Sequence, residues 1–570
     1  MIAIKRTISE KIAEKLIKLN AECNVDAATI EGMLEYPPDE KMGDLALPCF
    51  KLSKTLRMAP IKIAATIAED FSDAAVARAE AVNGYFNIYL DGKRLADKVI
   101  GEIKAKGENY GAPDLGQGKT VVLDYSSPNV AKPFHIGHLG TTVIGHSLKR
   151  LHEFAGYKCV GINYLGDWGT QFGKLITAYR KWGNAKLIEE GGIDKLVELY
   201  VKFHEEAEKD PALNDEARAE FRKLEDADED NIKLWRWFVD ISLAEYQKTY
   251  KQLGIEFDSY KGESFYTDKM PAQVQKLRDM GLLKIDDGAS IVDLEPYGMT
   301  PCLILKRDGS TLYPTRDIAA AVYRKDTYDF EKMIYVTSAG QSLHFAQWFK
   351  VVELMGYEWF DKLVHVPYGT VSINGEKLAT RTGNVILLRD LFAQAIAKVA
   401  GIMEDKNPNI PDKEKISEEV GVGAIVFYYL SNNRIRDINF MMEDALSFEG
   451  NTGPYVQYTY ARTCSVLAKS DAIDDTAELT VTSEEETSLL KTLSRFEEVV
   501  REAIDAYEPS VVTRYILDVA GAYNRFYHNC SILGAENESV KNTRIALTKA
   551  ANTVLGNAFG LICLAKTEKI

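Results

Sequence analysis

Apolar residues recur at three- and four-residue spacing over 7–20 and 60–70, a period that predicts helices. Between them Pro37, Pro38 and Gly43 mark turns. Residues 81–90, AVNGYFNIYL, alternate and are rich in aromatics, which predicts a strand. These elements make a small α+β unit ending in the Gly/Pro-containing stretch 107–118. The next predicted strand, TVVLDY (120–125), runs into the loop SSPNVAKPF. A helix follows from about residue 137 to 154, with Leu139, Val143, Leu148 and Leu151 on one face. YKCVGINYLG (157–166) is predicted as the next strand, and strand–loop–helix–strand of this length implies a parallel, doubly wound sheet. Residues 171–255 read as long charged amphipathic helices interrupted near Asp210–Pro211, an insertion beside that sheet. Strand-like segments at 291–294, 302–307, 332–338 and 363–369 are expected to complete it, and beyond about 415 the pattern is helical throughout. The expected architecture is multidomain α/β. A small α+β domain (1–110) precedes a doubly wound core (111–415) with its helical insertion at about 175–255, and an all-α bundle (416–570) follows.

Composition leaves this picture intact. The chain has 570 residues, 46% hydrophobic and 27% charged, an ordinary globular mixture with ample core. No apolar run approaches the ~18 residues of a membrane span, and the start lacks the continuous apolar stretch of a secretory signal. The expectation is therefore a cytoplasmic protein without a membrane partner. Seven scattered cysteines, none in a C-x-x-C pair, read as free thiols and give no zinc spacing. The net charge of −15 argues mildly against a nucleic-acid partner. Its distribution weakens that argument: residues 451–520 carry about −7, whereas 521–570 carry about +3.

The most informative stretch is SSPNVAKPFHIGHLG. His135 and His138 fall at the loop-to-helix junction after the first core strand, where doubly wound sheets bind nucleotides. The helix N-terminus there offers unpaired N–H groups and a partial positive charge to phosphate. Two imidazoles can donate hydrogen bonds to the pentacoordinate phosphate of a nucleotidyl transfer, and Gly137 lets a nucleotide ring approach the backbone. Such preorganised donors contribute about 3–4 kcal/mol each. Two structural histidines, or two metal ligands on one helical face, share the same spacing. The metal reading lacks carboxylate or cysteine partners nearby.

H-I-G-H after a first strand resembles the signature of the class I aminoacyl-tRNA synthetases. The longer string SSPNVAKPFHIGHLG resembles the arginyl-tRNA synthetase family in particular. YLGDWGTQFGKL (164–175), LYPTRDIAAAVYR (312–324), GEKLATRTGNVI (375–386) and LSFEGNTGPYVQYTYAR (446–462) are similar to that family in order and spacing. So are PPDEKMGDLALPCF in the first domain and YNRFYHNCSIL (523–533) in the last. The resemblance implies a Rossmann-like catalytic core, an N-terminal domain contacting the outer corner of tRNA and a C-terminal anticodon-binding domain. It implies a monomer that ligates L-arginine to tRNA(Arg) with ATP and Mg²⁺, through an arginyl-adenylate, with no tightly bound cofactor and no resident metal. KLATR (377–381) resembles the mobile phosphate-clamping loop of the class. Lys377 matches its first lysine, while Leu378, Ala379 and Thr380 depart from it and Arg381 follows. Lys132, just before H-I-G-H, matches a lysine thought to compensate.

The same resemblance gives Asp124 and Asp317 as acids for the substrate guanidinium, Tyr313 and Gln341 as further side-chain contacts, and Asn129 for the α-amino and carboxylate end. A guanidinium is planar, permanently charged and forked, so fixed carboxylates suit it. In the last domain Tyr455, Tyr458, Tyr460 and Arg462 form one aromatic–basic cluster and Tyr523, Arg525, Phe526, Tyr527 and His528 another. Aromatics stack unpaired bases and arginines hold phosphates, although aromatics at helical spacing also pack cores. Another class I ligase or small nucleotidyltransferase, or a non-catalytic RNA-binding relative, shares H-x-G-H. The chain lacks the zinc-bound cysteine pocket of the cysteinyl enzymes and retains His135, Gly137, His138, Lys132 and Asp317.

Overall fold

A computed structural model of the protein describes residues 1–19, 25–377, 386–470 and 478–570. The N-terminal domain opens with the helix Ile2–Leu19 and builds an antiparallel sheet from β1 (Leu45–Pro48), β2 (Val76–Val82) and β3 (Tyr85–Leu90), in the order β1-β3-β2. The single strand expected over 81–90 is instead the end of one strand, a tight turn and the next. Asn83 and Gly84 both have positive φ (48° and 84°), the geometry of a two-residue hairpin turn.

The central domain is built on a four-stranded, wholly parallel sheet of β4 (Thr120–Asp124), β5 (Lys158–Ile162), β9 (Lys332–Ser338) and β10 (Leu363–Tyr368), in the order β10-β9-β4-β5. From β4 the chain moves outward to β5, then crosses back to β9 on the other side and on to β10. The strand order therefore reverses between β4 and β9, which opens a crevice at their carboxyl ends. Helices cover the sheet: Leu139–Phe154 contacts β4, β5 and β9, while Tyr313–Tyr328 and Ser342–Leu354 pack among Val122, Met333, Tyr335 and Trp348. Burial on both faces explains the near-continuous apolar runs of β4 and β9.

Two expected core strands lie elsewhere. β7 (Ala289–Val292) and β8 (Cys302–Leu305) join β6 (Leu283–Asp286) in a separate antiparallel sheet, because short connections allow hairpin pairing where a parallel crossover needs a dozen or more residues. The insertion comprises four helices, Thr170–Trp182, Ala185–Lys209, Ala212–Glu225 and Glu229–Leu253, with a core of their own around Phe172, Phe203 and Phe238. A further small sheet pairs β11 (Val371–Ile373) with β12 (Glu376–Lys377) and with β13 (Ile438–Phe440). Beyond it the helices Lys413–Leu430, Gly453–Ala468, Glu484–Ser494, Phe496–Asp505, Ser510–Asn529 and Glu538–Leu561 form the expected bundle.

One continuous apolar core runs through the N-terminal domain, one face of the sheet and the bundle. Polar contacts cross the same seams. Tyr36 Oη donates to Glu498 at 2.7 Å, Lys491 pairs with Asp44 at 2.5 Å, and Ser147 on the first core helix donates to the Leu561 carbonyl at 2.7 Å. Among the described residues, six cysteines are free thiols, three of them buried; Cys23 lies outside those residues. No helix among the described residues is long and apolar enough to cross a membrane.

The helix that follows H-I-G-H lies close on β4 because Gly145 has no side chain: a Cβ there would stand 2.2 Å from Cβ of buried Tyr125. Overpacking of this kind costs about 1–3 kcal/mol. Gly145→Ala is therefore expected to lower the melting temperature measured by circular dichroism. Melting at the wild-type temperature would contradict the close helix–strand contact.

Candidate active site

The crevice between β4 and β9 holds a cavity of about 510 Å³. Asp124, Ser126, Ser127 and Asn129 enter it from the end of β4 and the loop beyond, Tyr313 and Asp317 from one helix, and Gln341 and His344 from another. His138 and Glu263 complete the polar wall. Tyr313 and Asp317 are four residues apart in the helix Tyr313–Tyr328, so they share a face. Gln341 closes the short turn between β9 and the next helix. Asn129 sits beside Gly166 in a backbone bridge, and a Cβ on Gly166 would strike its Oδ1.

The loop after β4 is strained. Ser126, Ser127 and Ala131 all have positive φ (69°, 48° and 56°), which costs L-residues roughly 1–2 kcal/mol each. Neighbouring hydroxyls hold it. Ser126 Oγ is 2.7 Å from Tyr250 Oη and 2.8 Å from Thr142 Oγ1, and the Ala131 N–H donates to Ser242 Oγ at 3.0 Å. Tyr246 Oη lies 2.7 Å from the carbonyls of both Asn129 and Lys132. Three of these braces, Ser242, Tyr246 and Tyr250, come from the insertion helix Glu229–Leu253, which thus fixes the approach to H-I-G-H.

His135 and His138 lie at the turn into the helix, ring centroids 4.0 Å apart. His135 Nδ1 accepts the Gly137 N–H at 3.1 Å and His138 Nδ1 accepts the His135 N–H at 3.2 Å. Burial pushes both imidazoles down, His135 to about 4 and His138 to about 3. The positive charge of Lys132 adds to the shift of each. Both rings are therefore neutral near pH 7, with Nδ1 accepting and the hydrogen on Nε2, where it can be donated. Lys132 is exposed at the preceding turn. Of the described residues that flank 378–385, those on the C-terminal side pair with the H-I-G-H turn and those on the N-terminal side lie in β12. β12 carries the Lys377 backbone, while Leu387 bridges His135 and the Ile136 N–H donates to the Ile386 carbonyl at 3.3 Å. Arg381 lies outside the described residues.

Three carboxylates face the cavity, and each has a different partner. Asp124 does meet a guanidinium, but it is the chain's own: Arg324 Nη1 lies 2.8 Å from its Oδ2, with both side chains buried. Burial raises the Asp124 carboxyl, and Arg324 and the Ser127 hydroxyl oppose that rise. Burial also works against the Arg324 charge, but Asp124 and the rings of Tyr164, Tyr266 and Tyr335, 5.0–5.8 Å away, hold it charged. Glu263 pairs with Arg316 at 2.7 Å. Burial raises Glu263 to about 7, with Arg316 pulling the other way and Asp317 and Asp167 adding to the rise. Neither arginine lines the cavity. Asp317 has no arginine or lysine partner among the described residues; its Oδ2 is 2.6 Å from His344 Nε2.

Glu263, Arg316, Arg324 and His344 are additions to the residues singled out by sequence. Glu263 follows Gly262, whose missing side chain makes room for buried Asp167, which accepts from the Ser264 N–H and hydroxyl. Nothing in YKGESFY announces this. His344 could have been found: Q-x-x-H at a strand-to-helix junction repeats the placement of H-x-x-H.

In the bundle, Tyr455, Tyr458, Arg462 and Tyr527 come together. The Arg462 guanidinium lies 5.1 Å from the Tyr458 ring and 4.8 Å from that of Tyr527, and Asn524 links it to Tyr455. Tyr458 and Tyr527 are exposed. Arg525 instead lines a separate groove with Arg495 and Asp518, since two residues along a helix turn a side chain away from its neighbour. Tyr460, Tyr523 and Phe526 are core residues.

Residues 100–442 match the family of tRNA synthetases class I (R), catalytic domain; residues 456–570 match the DALR anticodon binding domain and 6–90 the arginyl tRNA synthetase N-terminal domain. An arginine–tRNA ligase of Alkaliphilus metalliredigens is 49% identical over 546 residues, covering 94% of this chain and 95% of that protein. One from Clostridium perfringens is 47% identical over 569 residues, 99% and 100% of the two chains. The solved arginyl-tRNA synthetase of Thermus thermophilus has a TM-score of 0.83 at 25% identity, with 99% and 100% covered. Three family matches in chain order, two full-length relatives and the parallel core with its H-I-G-H turn converge on one conclusion: the chain belongs to the arginine–tRNA ligases, the class I enzymes that use ATP to join arginine to tRNA(Arg).

Proposed function

We propose that arginine and ATP meet in the crevice between β4 and β9, with the guanidinium on Asp317 and Glu263 and with Tyr313 and Gln341 beside it. The observation that carries this reading is the charge arrangement: three carboxylates face one cavity, two have arginines behind the wall, and Asp317 has none among the described residues. Asp124, paired with Arg324, is the polar floor rather than a direct guanidinium partner, and Asn129 takes the α-amino and carboxylate end. The substrate carboxylate attacks the α-phosphate of ATP and expels pyrophosphate. The 3′-terminal ribose of tRNA then takes the arginyl group from the adenylate and AMP leaves. Positioning and charge stabilisation carry both steps. His135 and His138 donate from Nε2 to the phosphate oxygens, the backbone at Gly137 admits the nucleotide, and Lys132, Lys377 and Arg381 follow the departing pyrophosphate. Mg²⁺ accompanies ATP, held by its phosphates and by water.

The division of labour follows the chain. Residues 1–110 meet the outer corner of tRNA, 111–415 perform the chemistry and 416–570 read the anticodon end. Tyr455, Tyr458, Arg462 and Tyr527 support the last assignment as an exposed aromatic–basic group, and Arg525 offers a cation on another face. Phe86 and Asn87 are buried in the first domain, so the exposed pair Phe50 and Tyr85 beside the hairpin turn is its aromatic surface. The reading takes the enzyme as a cytoplasmic monomer, where scattered free thiols stay reduced.

The direct test is arginine-dependent ATP–pyrophosphate exchange with and without tRNA(Arg). Exchange that appears only with tRNA supports adenylate formation in a site completed by RNA. Exchange in both cases keeps the adenylate and removes the coupling, and silence in both contradicts the assignment of the crevice. A second expectation concerns pH. Glu263, raised to about 7, loses its charge as pH falls through that value, and a neutral carboxyl cannot pair with a guanidinium. The KM for arginine should therefore rise between pH 8 and pH 6, approaching about tenfold per unit on the acid side. Glu263→Gln should flatten that dependence, and a flat wild-type profile would remove Glu263 from the binding site.

A further inference from the structure

Asp317 holds its place by a bond from across the crevice. It projects from the helix Tyr313–Tyr328, whereas His344 projects from Ser342–Leu354, and their 2.6 Å contact joins the two. The imidazole is itself set by its surroundings. It lies edge-on to Phe345 (5.5 Å), and Phe345 stacks on His365 at 4.3 Å and 6°. His365 Nε2 is 2.9 Å from Thr337 Oγ1 at the carboxyl end of β9. Both His344 and Asp317 remain partly accessible, 27% and 19% by side chain, as residues of a binding wall should be.

We propose that His344 is a positioning and specificity residue for arginine, working through Asp317. As an N–H donor it fixes Oδ2 of the carboxylate, sets its plane, and leaves Oδ1 for a substrate guanidinium. The neighbouring acids show what the alternative would do. Asp124 and Glu263 are held by Arg324 and Arg316 at 2.8 and 2.7 Å, and a fixed cation offsets part of the charge it holds, which leaves Asp317 with the most to offer a substrate. A lysine or arginine at 344 would do the same to Asp317 and repel the incoming substrate. An apolar side chain would leave the carboxylate free to rotate, so that ordering it falls on the substrate's binding energy. The chemistry that suits the position is therefore an N–H donor of about imidazole reach that carries no permanent charge.

This inference rests on the reading that Asp317 receives the guanidinium, and three variants of the full chain separate the two ideas. His344→Phe keeps a flat ring and its packing but has no donor; His344→Gln keeps a donor near the Nε2 position without the ring; Asp317→Asn removes the charge. Aminoacylation with saturating tRNA should show the KM for arginine raised roughly ten- to a hundred-fold in H344F, the loss of one hydrogen bond to a charged group. The kcat and the KM for ATP should stay near wild type, the pattern of lost ground-state binding. H344Q should recover most of the affinity. Equal arginine affinity in H344F and wild type overturns the proposal, and so does H344Q as impaired as H344F, which would assign the residue to packing. D317N decides the underlying reading. Unchanged arginine affinity there removes Asp317 from the pocket. A raised KM in D317N with none in H344F leaves the pocket and rejects only the role of His344.

Discussion

Three carboxylates share one cavity in this protein, and their mutual repulsion is the constraint that the catalytic core is built around. Asp124 sits at the end of the central strand in surroundings that exclude water, and a lone charge there would be untenable. Arg324, fully buried behind it, makes the position possible. The same helix that supplies Arg324 also supplies Arg316 for Glu263, and it presents Tyr313 and Asp317 to the cavity. One helix thus carries the unmatched acid and the cations for the other two. Removing Arg324 would leave a buried charge unpaired, a loss of about 3–5 kcal/mol.

The sheet topology gives this arrangement its use. Reversal of strand order between β4 and β9 opens the crevice, and the strained loop after β4 brings the H-I-G-H turn to its edge. That loop depends on hydroxyls from the insertion helix, so a segment remote in sequence stabilises the conformation from which His135 and His138 project. In the proposed site, nucleotide chemistry and amino-acid recognition share one wall, which would satisfy the demand for closely held reactants.

Much of this was legible in the sequence because it is local. The H-I-G-H turn and the acid at a strand end follow from strand–loop–helix junctions, whereas Tyr313 and Asp317 came from the family resemblance and their shared helical face from the fold. What stayed hidden depends on distant partners. No spacing rule connects Asp124 to Arg324, 200 positions away, or Glu263 to the cavity, since Gly262 and Asp167 meet only in the folded chain. β7 and β8 read as core strands because apolar alternation reports a sheet and not which sheet. The Asn83–Gly84 turn was visible, but the aromatic alternation around it read as one strand. Tyr460 and Tyr523 show the limit of composition: helical spacing brought them into a cluster, and burial made them core.

In the proposed site the cavity selects a guanidinium by its charge, through Asp317. Citrulline has nearly the shape of arginine and none of its charge, so it isolates that term. Isothermal titration calorimetry of each ligand with the enzyme bound to tRNA(Arg) is the most direct measurement. Arginine is expected to bind, and citrulline to bind at least roughly a hundred-fold more weakly, because it leaves a desolvated carboxylate without its counter-charge. Comparable affinities for the two would contradict it and would place recognition in shape and neutral hydrogen bonds instead.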